Sequence, residues 1–375
     1  MKYMKVLLIA TVQSHICQFH KPLVTMLHAH GCEVHVAARN NLAEKNGLKL
    51  DFVEQVFDVP FQRSPFSSKN LGAYKQLKGI IDNGHYDVVH CNTPVGGVLG
   101  RLAARNARRQ GTQVFYTAHG FHFYQGAPKK NWLIWYPVEK FMCRFTDKLI
   151  TITGEDFDLA SAKFPTQVER IHGVGANSGR YRRLSDPERE ALRRELGFGP
   201  EEKLLLCTGE LLPNKNQITA VRMMPALLQQ HPDAKLLLAG NGPTLPELQA
   251  EVSALGLQEH VTFLGYRTDL ERYANVADLI VSCSYREGLP MNIVEGMLLT
   301  KPIVASQNRG HRELILPDVT GFMVPPADSA AFAEKISFLL QSPALADAMG
   351  RAGYERAQLY ADVNVQKELQ KIYGF

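Results

Sequence analysis

Two glutamates late in the chain, Glu287 and Glu295, flank a Gly-Leu-Pro interruption and stand eight positions apart. Because proline is favoured in the first turn of a helix, we predict that a helix begins at Pro290. Glu287 then lies on the preceding loop, Glu295 lies inside the helix, and the free N–H groups between them can bind an anion. A carboxylate on each side of an anion site would suit a nucleoside-diphosphate sugar. The alternative is an acidic loop followed by an ordinary helix.

Other polar side chains follow predicted strands, at the edge where parallel α/β sheets bind ligands. Lys215 follows a strand at 203–209 and can pair with a diphosphate as a point charge, the alternative being a solvated lysine. His119 ends a strand at 113–119, where a purely structural histidine is the alternative. The first predicted strand is followed by Gln13, Ser14 and His15.

One motif, Asp156-Phe-Asp158, resembles a metal-binding pair. These aspartates open a predicted helix, where acidic residues are favoured without any metal. A hard cation needs several oxygen ligands, and no others cluster around this pair in the sequence. We therefore predict no metal site.

The composition indicates a globular protein of two domains. A chain of 375 residues is too long for one ordinary core, and 45% hydrophobic with 21% charged residues is typical of globular proteins. No apolar run reaches the roughly 18–20 residues of a membrane span. The apolar start of the chain is predicted to be a buried strand rather than a signal peptide. Six scattered cysteines without a C-x-x-C pair predict reduced thiols in a cytoplasmic protein.

Positive charge is concentrated in the first half of the chain. Residues 1–172 contain 21 lysines and arginines against 13 aspartates and glutamates, which predicts an anionic partner. No nucleic-acid-binding motif is present, so we expect no nucleic acid and favour an anionic membrane surface. The alternative is a solvated basic face with ordinary aromatic packing. The residues predicted to contact the membrane are Arg101, Arg105, Arg108, Arg109 and the aromatic segment 132–136.

Short apolar runs alternate with amphipathic stretches along the chain, which predicts βαβ units and parallel sheets. A glycine-rich polar segment at 173–186 is typical of a linker. We therefore expect an α/β fold of two Rossmann-like doubly wound domains facing a central cleft. The strands are predicted near 5–11, 33–38, 87–91, 113–119, 148–153 and 168–172, and then near 203–209, 235–240, 261–265, 279–282, 302–305 and 321–324.

The chain resembles the family 4 glycosyltransferases of GT-B fold over nearly its whole length, and in particular bacterial enzymes of exopolysaccharide and capsule assembly. The string 284–295 is similar to the E-x7-E element of the retaining members. The narrower match is carried by 117–152, 209–217 and 308–315. The resemblance implies a retaining hexosyltransferase that uses a nucleotide sugar, with UDP as the implied nucleotide, and a lipid-linked saccharide acceptor. It also implies a metal-independent enzyme, peripheral on the inner face of the plasma membrane.

The resemblance further implies how the domains and residues divide the work. Domain 1–177 would bind the acceptor, domain 178–355 the nucleotide sugar, and a helix within 356–375 would return to the first domain. By this resemblance, Glu295 would bind the ribose hydroxyls and Lys215 would bind the diphosphate. Glu287 and His119 would reach the transferred sugar. The backbone N–H groups of Gly288 and Leu289 would approach the sugar or the phosphate, and the helix N-terminus at Pro290 would hold the phosphates.

Two positions depart from the family pattern. Glu210 stands where relatives usually carry an arginine, and no glycine pair follows the first strand at 13–15. Two other functions therefore stay open: a nucleotide-sugar 2-epimerase of the same fold, and a non-catalytic nucleotide-sugar-binding subunit. An epimerase would release free sugar without an acceptor. A binding subunit would keep its partner's activity after Glu287→Ala.

Overall fold

The computed structural model describes residues 4–45 and 47–375 and divides the chain into two compact units. Unit 1 runs to Gly175 and also includes Asp362–Phe375, whereas unit 2 is Ala176–Ala361. The domain ends predicted from the sequence were 177 and 355. Both units are α/β, because each consists of a sheet with helices in the connections between its strands.

Unit 1 has a seven-stranded parallel sheet in the order β3-β2-β1-β4-β5-β6-β7 within the described residues. The centre of β1 is fully buried, as expected for a parallel strand that is covered on both faces. The strands are β1 (Lys5–Val12), β2 (Glu33–Arg39), β3 (Gln55–Asp58), β4 (Val88–Asn92), β5 (Gln113–Ala118), β6 (Lys148–Thr151) and β7 (Gln167–Arg170).

The helices of unit 1 include one from the far end of the sequence. Tyr373 on that helix places its hydroxyl 2.7 Å from His90 Nδ1, and Glu368 lies 2.6 Å from His172 Nδ1. The helices are α1 (Gln13–Phe19), α2 (Lys21–Ala29), α3 (Asn70–Gly84), α4 (Pro94–Ala103), α5 (Arg105–Arg109), α6 (Lys129–Met142), α7 (Gly154–Lys163) and α16 (Asp362–Tyr373).

Unit 2 has a six-stranded parallel sheet in the order β10-β9-β8-β11-β12-β13. Its strands are β8 (Lys203–Thr208), β9 (Ala234–Ala239), β10 (Val261–Gly265), β11 (Leu279–Ser282), β12 (Ile303–Ser306) and β13 (Phe322–Val324). Its helices are α8 (Asp186–Glu195), α9 (Gln217–Leu228), α10 (Leu245–Ala254), α11 (Leu270–Val276), α12 (Met291–Leu298), α13 (Arg309–Leu314), α14 (Ser329–Gln341) and α15 (Pro343–Ala357).

Each sheet reverses its strand order once, between β1 and β4 in unit 1 and between β8 and β11 in unit 2. Beyond the carboxyl ends of such strands the two following loops diverge and leave a crevice, which is where open α/β sheets bind ligands. The segments after β1, β4, β8 and β11 are therefore the ones that position a site.

The prediction that a basic helix faces a membrane is wrong for Arg101. Arg101 is fully buried, and its Nη2 lies 2.8 Å from Glu139 Oε2. Arg108 is half-buried and paired with Asp147, whereas Arg105 is exposed. The 3.6-residue period does place Arg101 and Arg105 on one side of a helix. However, the helix is interrupted between α4 and α5, and α6 covers Arg101 while Arg105 stays exposed.

The six cysteines are all free, as predicted, and five of them are buried. Among the helices of the described residues, none combines the length and apolar character that crossing a bilayer requires.

Candidate functional site

The loop after β8 is held in one conformation by Asn216. This residue has a left-handed backbone with φ of 54°, which asparagine tolerates better than most residues. Its side-chain amide donates to Cys283 O at 3.1 Å and to Pro326 O at 2.7 Å. Lys215 immediately precedes it, at the end of a short 3-10 turn. The backbone at Lys215 is therefore held against the end of β11, one of the two strands between which the sheet order reverses.

Lys215 and Glu287 meet at this edge of the unit 2 sheet. Lys215 Nζ lies 2.6 Å from Glu287 Oε1, and the two side chains are 25% and 13% exposed. Two further hydrogen bonds tie their loops together: Tyr285 N donates to Asn214 O at 2.8 Å, and the Asn214 amide donates to Arg286 O at 2.9 Å. The structure thus brings together two residues that the sequence placed on separate loops.

Gly310 backs the Glu287 loop closely. A Cβ atom at this position would lie 2.6 Å from Glu287 Cβ and 2.8 Å from Gly288 O, so any larger residue would displace the loop. The next residue, His311, is buried and hydrogen-bonded to Ser282 and Ser306. The segment 308–315 therefore supports the Glu287 loop.

The helix after this loop, α12, begins at Met291, with Pro290 as its N-cap residue, one position later than predicted. Pro290 is buried, and Gly288 and Leu289 are half-buried on the loop before it. The start of α12 thus lies between the two glutamates, as the sequence predicted.

Glu295, inside α12, has an unusual environment. Burial raises the pKa of this carboxyl to about 7, opposed by a hydrogen bond from Tyr181 and by the charge of Arg180. Near neutral pH the group is therefore divided between its acid and its carboxylate form. Both forms can accept a hydrogen bond, and the acid form can also donate one.

Glu210 is exposed after β8, and its backbone oxygen accepts a hydrogen bond from the Gln217 side chain at 3.0 Å. Two glycines, Gly209 and Gly240, stand near this loop because the backbones after β8 and β9 approach each other closely. A Cβ on Gly240 would lie 2.0 Å from Gly209 O, and both glycines have positive φ.

In unit 1, His119 follows β5 and lies among other polar rings. Its Nε2 is 3.3 Å from His15 Nε2 and 3.2 Å from Asn92 Oδ1. Burial lowers the pKa of His119 to about 4, and burial together with His119 lowers the pKa of His15 well below its usual range. Both imidazoles are therefore neutral at physiological pH.

The three polar residues that follow β1, Gln13, Ser14 and His15, form the first turn of α1. Gln13 and Ser14 are buried there, and the amide of Asn41 donates to Ser14 Oγ at 2.8 Å. Gln13 Nε2 lies 3.4 Å from Ala38 O. These two side chains connect α1 to the end of β2, so of the three only His15 reaches His119.

Thr93, which the sequence analysis did not single out, has a strained backbone after β4. Its φ is 64°, a region that a β-branched residue rarely adopts. Its Oγ1 lies 2.7 Å from Thr11 Oγ1 and accepts a hydrogen bond from Thr11 N at 3.0 Å. The signal that pointed to His119, a polar residue at a strand's carboxyl end, would also have found Asn92 and Thr93.

A cavity of about 200 Å³ opens beside His119 in unit 1. Its wall combines aromatic rings with a few polar groups, which is the usual composition of a small-molecule pocket. The residues that line it include Thr93, Tyr116, His119, Phe121, Trp135 and Glu139.

The two aspartates of the D-x-D motif do not form a cluster of ligands. Asp156 is buried in the first turn of α7 and accepts a hydrogen bond from Phe121 N at 3.2 Å, whereas Asp158 is exposed. In the described part of the chain, neither belongs to a group of three or more potential metal ligands.

Comparison with known proteins decides the family. The model of the glycosyl transferases group 1 family matches residues 188–356, and that of the glycosyl transferase 4-like family matches residues 5–153. EpsD of Bacillus subtilis (strain 168), a protein named as a glycosyltransferase, is 43% identical over 372 residues, which are 99% of this chain and 96% of EpsD. The chain belongs to the group 1 glycosyltransferases.

Other glycosyltransferases are similar at lower identity. The UDP-Gal:alpha-D-GlcNAc-diphosphoundecaprenol alpha-1,3-galactosyltransferase of Escherichia coli is 24% identical over 305 residues, 78% of this chain and 77% of that enzyme. The crystal structure of Anabaena HepE in complex with UDP and glucose matches with a TM-score of 0.80 at 22% identity, covering 99% of this chain and 100% of HepE. The GT-B fold expected from the sequence is confirmed.

Proposed function

We propose that this glycosyltransferase moves a hexose, with retention of configuration, from a UDP-sugar to a lipid-linked saccharide during exopolysaccharide assembly. The observation that carries the proposal is the Lys215–Glu287 pair at 2.6 Å, beside the start of α12 and with Glu295 inside that helix. The similarity to EpsD supports glycosyl transfer, and the biological setting is what the family resemblance of the sequence implies. The E. coli galactosyltransferase supports a lipid-linked acceptor, and HepE, seen with UDP, supports the nucleotide.

On the donor side, each group has a task that its position favours. Lys215 neutralises charge on the diphosphate, and the free N–H groups at the start of α12 donate to its oxygens. Glu295 binds the ribose hydroxyls, because a carboxyl group with a pKa near 7 can accept and donate there. Glu210, in the position of the family arginine, brings negative charge, so Lys215 supplies the cationic contact.

The chemical step exchanges one bond at the anomeric carbon for another on the same face. The bond from C1 to the diphosphate oxygen breaks as the bond from C1 to the acceptor oxygen forms, and the acceptor proton passes to the leaving diphosphate. The retaining hydrolases use two carboxyls about 5–5.5 Å apart. Because Glu287 is paired with a lysine, we assign it to orienting the sugar and Lys215. Catalysis then rests on positioning and charge stabilisation without a metal.

On the acceptor side, the cavity beside His119 would take the saccharide end of the acceptor. The surface of α6 is suited to the lipid end. Leu133 is 77% exposed and Phe141 51% exposed on this helix, and the exposed residues beside them include Lys129, Lys130 and Lys140. Apolar side chains flanked by lysines favour the surface of an anionic bilayer. We therefore place the enzyme peripherally on the inner face of the plasma membrane.

The proposal is tested by thermal unfolding with UDP, GDP or ADP, each with and without Mg²⁺. A nucleotide at about 100 times its dissociation constant adds roughly 2.7 kcal/mol of apparent stability. We expect a shift with UDP that does not need Mg²⁺, followed by transfer from a UDP-hexose to a lipid-linked saccharide. Glu287→Ala should lower that transfer by at least about 100-fold. If no nucleotide changed the unfolding temperature, the proposal would be contradicted. Conversion of a UDP-sugar to free sugar in the absence of an acceptor would also contradict it.

A further inference from the structure

Three histidines come together where the unit 1 sheet reverses its order. His15 lies on α1, His20 between α1 and α2, and His119 after β5. The ring centroids are 4.6, 5.2 and 5.4 Å apart, and the ligand nitrogens all lie within 4.8 Å of one another. Within residues 4–45 and 47–375 this is the one group of three or more His, Cys, Asp or Glu side chains so arranged.

Hydrogen bonds among the protein groups leave one nitrogen of this group without a partner and give another nitrogen two competing partners. A neutral imidazole nitrogen makes one hydrogen bond, either as donor or as acceptor. Yet His119 Nε2 faces both His15 Nε2 at 3.3 Å and Asn92 Oδ1 at 3.2 Å. His20 Nε2 is buried and has no hydrogen-bond partner among the described residues. Leaving such an atom unsatisfied costs about 1–3 kcal/mol, so the arrangement needs another explanation.

The spacing of the nitrogens fits a tetrahedral metal ion. Zinc binds imidazole nitrogens at about 2.0–2.1 Å with tetrahedral angles, which places two ligand nitrogens about 3.3–3.4 Å apart. His15 Nε2 and His119 Nε2 already lie 3.3 Å apart. His20, whose nitrogen lies within 4.8 Å of the others, would complete the set with a side-chain shift of up to about 1.5 Å.

We propose that His15, His20 and His119 form a binding site for one zinc-class transition-metal ion. Three imidazole ligands select Zn²⁺ and its neighbours Co²⁺ and Ni²⁺, whereas Mg²⁺ and Ca²⁺ prefer oxygen. Three protein ligands also leave a fourth position open, as in zinc sites that bind a solvent molecule or a substrate. The site lies in unit 1 and differs in chemistry from the diphosphate site, so it goes beyond the proposed function.

Metal binding can be measured directly on the full chain, purified without a polyhistidine tag and stripped with a chelator. Titration with Co²⁺ should give one equivalent bound and the intense visible absorption of a tetrahedral complex. Zn²⁺ should displace Co²⁺ with the same stoichiometry, and isothermal calorimetry gives its dissociation constant. This measurement is independent of turnover, so it can fail while the proposed function stands.

Variants decide which residues hold the ion. His20→Asn and His15→Asn each remove one ligand and should weaken Zn²⁺ binding by at least about 100-fold, since even loss of an outer-shell partner costs 10–100-fold. The matched control is His28→Ala, which changes a more exposed histidine of α2 paired with Glu54. Because buried His20→Asn could unfold unit 1, circular dichroism accompanies each titration, and His15→Asn gives a second variant. Absence of stoichiometric Co²⁺ binding by the parent, or undiminished binding by folded His15→Asn or His20→Asn, would overturn the proposal.

Discussion

Lys215 and Glu287 are 72 residues apart in the sequence, yet their side chains form an ion pair of 2.6 Å at the edge of the unit 2 sheet. The pair is only partly exposed, so it is screened less by solvent than a surface ion pair. In the proposed reaction Glu287 therefore holds Lys215 in position before the donor arrives. The diphosphate then takes over as the partner of the ammonium group.

The first prediction concerns Lys215 and the nucleotide. Lys215→Ala removes the cation that meets the diphosphate, and a hydrogen bond to a charged group contributes about 1.5–3 kcal/mol. We expect the dissociation constant for UDP, measured by calorimetry, to rise about 10- to 100-fold. The control is Arg222→Ala, which breaks a more exposed pair with Glu251 in the same unit and should leave UDP binding unchanged. Equal affinities of the parent and Lys215→Ala would remove Lys215 from the site.

The second prediction concerns Glu295 and pH. Its pKa in the folded protein is about 7, raised from an ordinary value of 4.5, so its contribution to stability is complete below pH 4.5 and is lost as the pH rises through 7. At 1.36 kcal/mol per pKa unit, the full loss amounts to roughly 3 kcal/mol. Glu295→Gln cannot ionise and should escape that loss.

Unfolding of the nucleotide-free protein at pH 5 and pH 8 checks this prediction. The free energy of unfolding of the parent should fall between pH 5 and pH 8 by more than that of Glu295→Gln. Glu334→Gln is the control, because that glutamate is exposed on α14. A difference between the parent and Glu295→Gln that stays constant over this range would show that Glu295 titrates normally.

The third prediction concerns the buried pair between Arg101 and Glu139. Arg101 also donates from Nε to Gly97 O at 2.8 Å, and its guanidinium lies 3.8 Å from the centroid of the Tyr116 ring. Arg101→Met leaves the Glu139 carboxylate buried without its cation, which should cost about 3–5 kcal/mol in the free energy of unfolding. Exposed Arg105→Met should change it by no more than about 0.5 kcal/mol. Similar urea-unfolding curves for the two variants would contradict the burial of Arg101.

The fourth prediction concerns the membrane. Leu133→Ser together with Phe141→Ser removes two exposed apolar side chains from α6, and burying such a side chain contributes about 1.5–3 kcal/mol. We expect binding to anionic liposomes, measured by sedimentation, to fall at least about 10-fold. The control Phe338→Ser changes an equally apolar residue of α14 that is 48% exposed. If the control weakened sedimentation as much as the double variant, α6 would not be the contact surface.

Local patterns predicted the fold well because parallel sheets depend on them. Buried apolar runs of a few residues specify strands, and the polar residues that follow them lie at one edge, as Lys215 and His119 do. Two doubly wound α/β domains were accessible from the sequence for this reason, whereas the GT-B fold was implied by the family resemblance. The start of α12 was also predicted to within one residue, because proline is restricted to the first turn of a helix.

Pairings between distant residues could not be predicted in the same way. Periodicity placed Arg101 on the same helical face as Arg105, but its burial depends on Glu139, 38 residues further along on another helix. The contact between His15 and His119 joins residues 104 positions apart. A single sequence contains no signal for such contacts, since they follow from how the helices pack on the sheet.

The helix α16 makes unit 2 an insertion within unit 1. Tyr373 hydrogen-bonds His90, and Glu368 hydrogen-bonds His172, so unit 1 needs residues that are translated after all of unit 2. On the ribosome, unit 2 can therefore finish folding before the first-made part of unit 1 acquires its last helix. Until then, the surface that Tyr373 covers on β4 and β5 stays exposed, so unit 1 reaches its complete core only after the last residues of the chain are made.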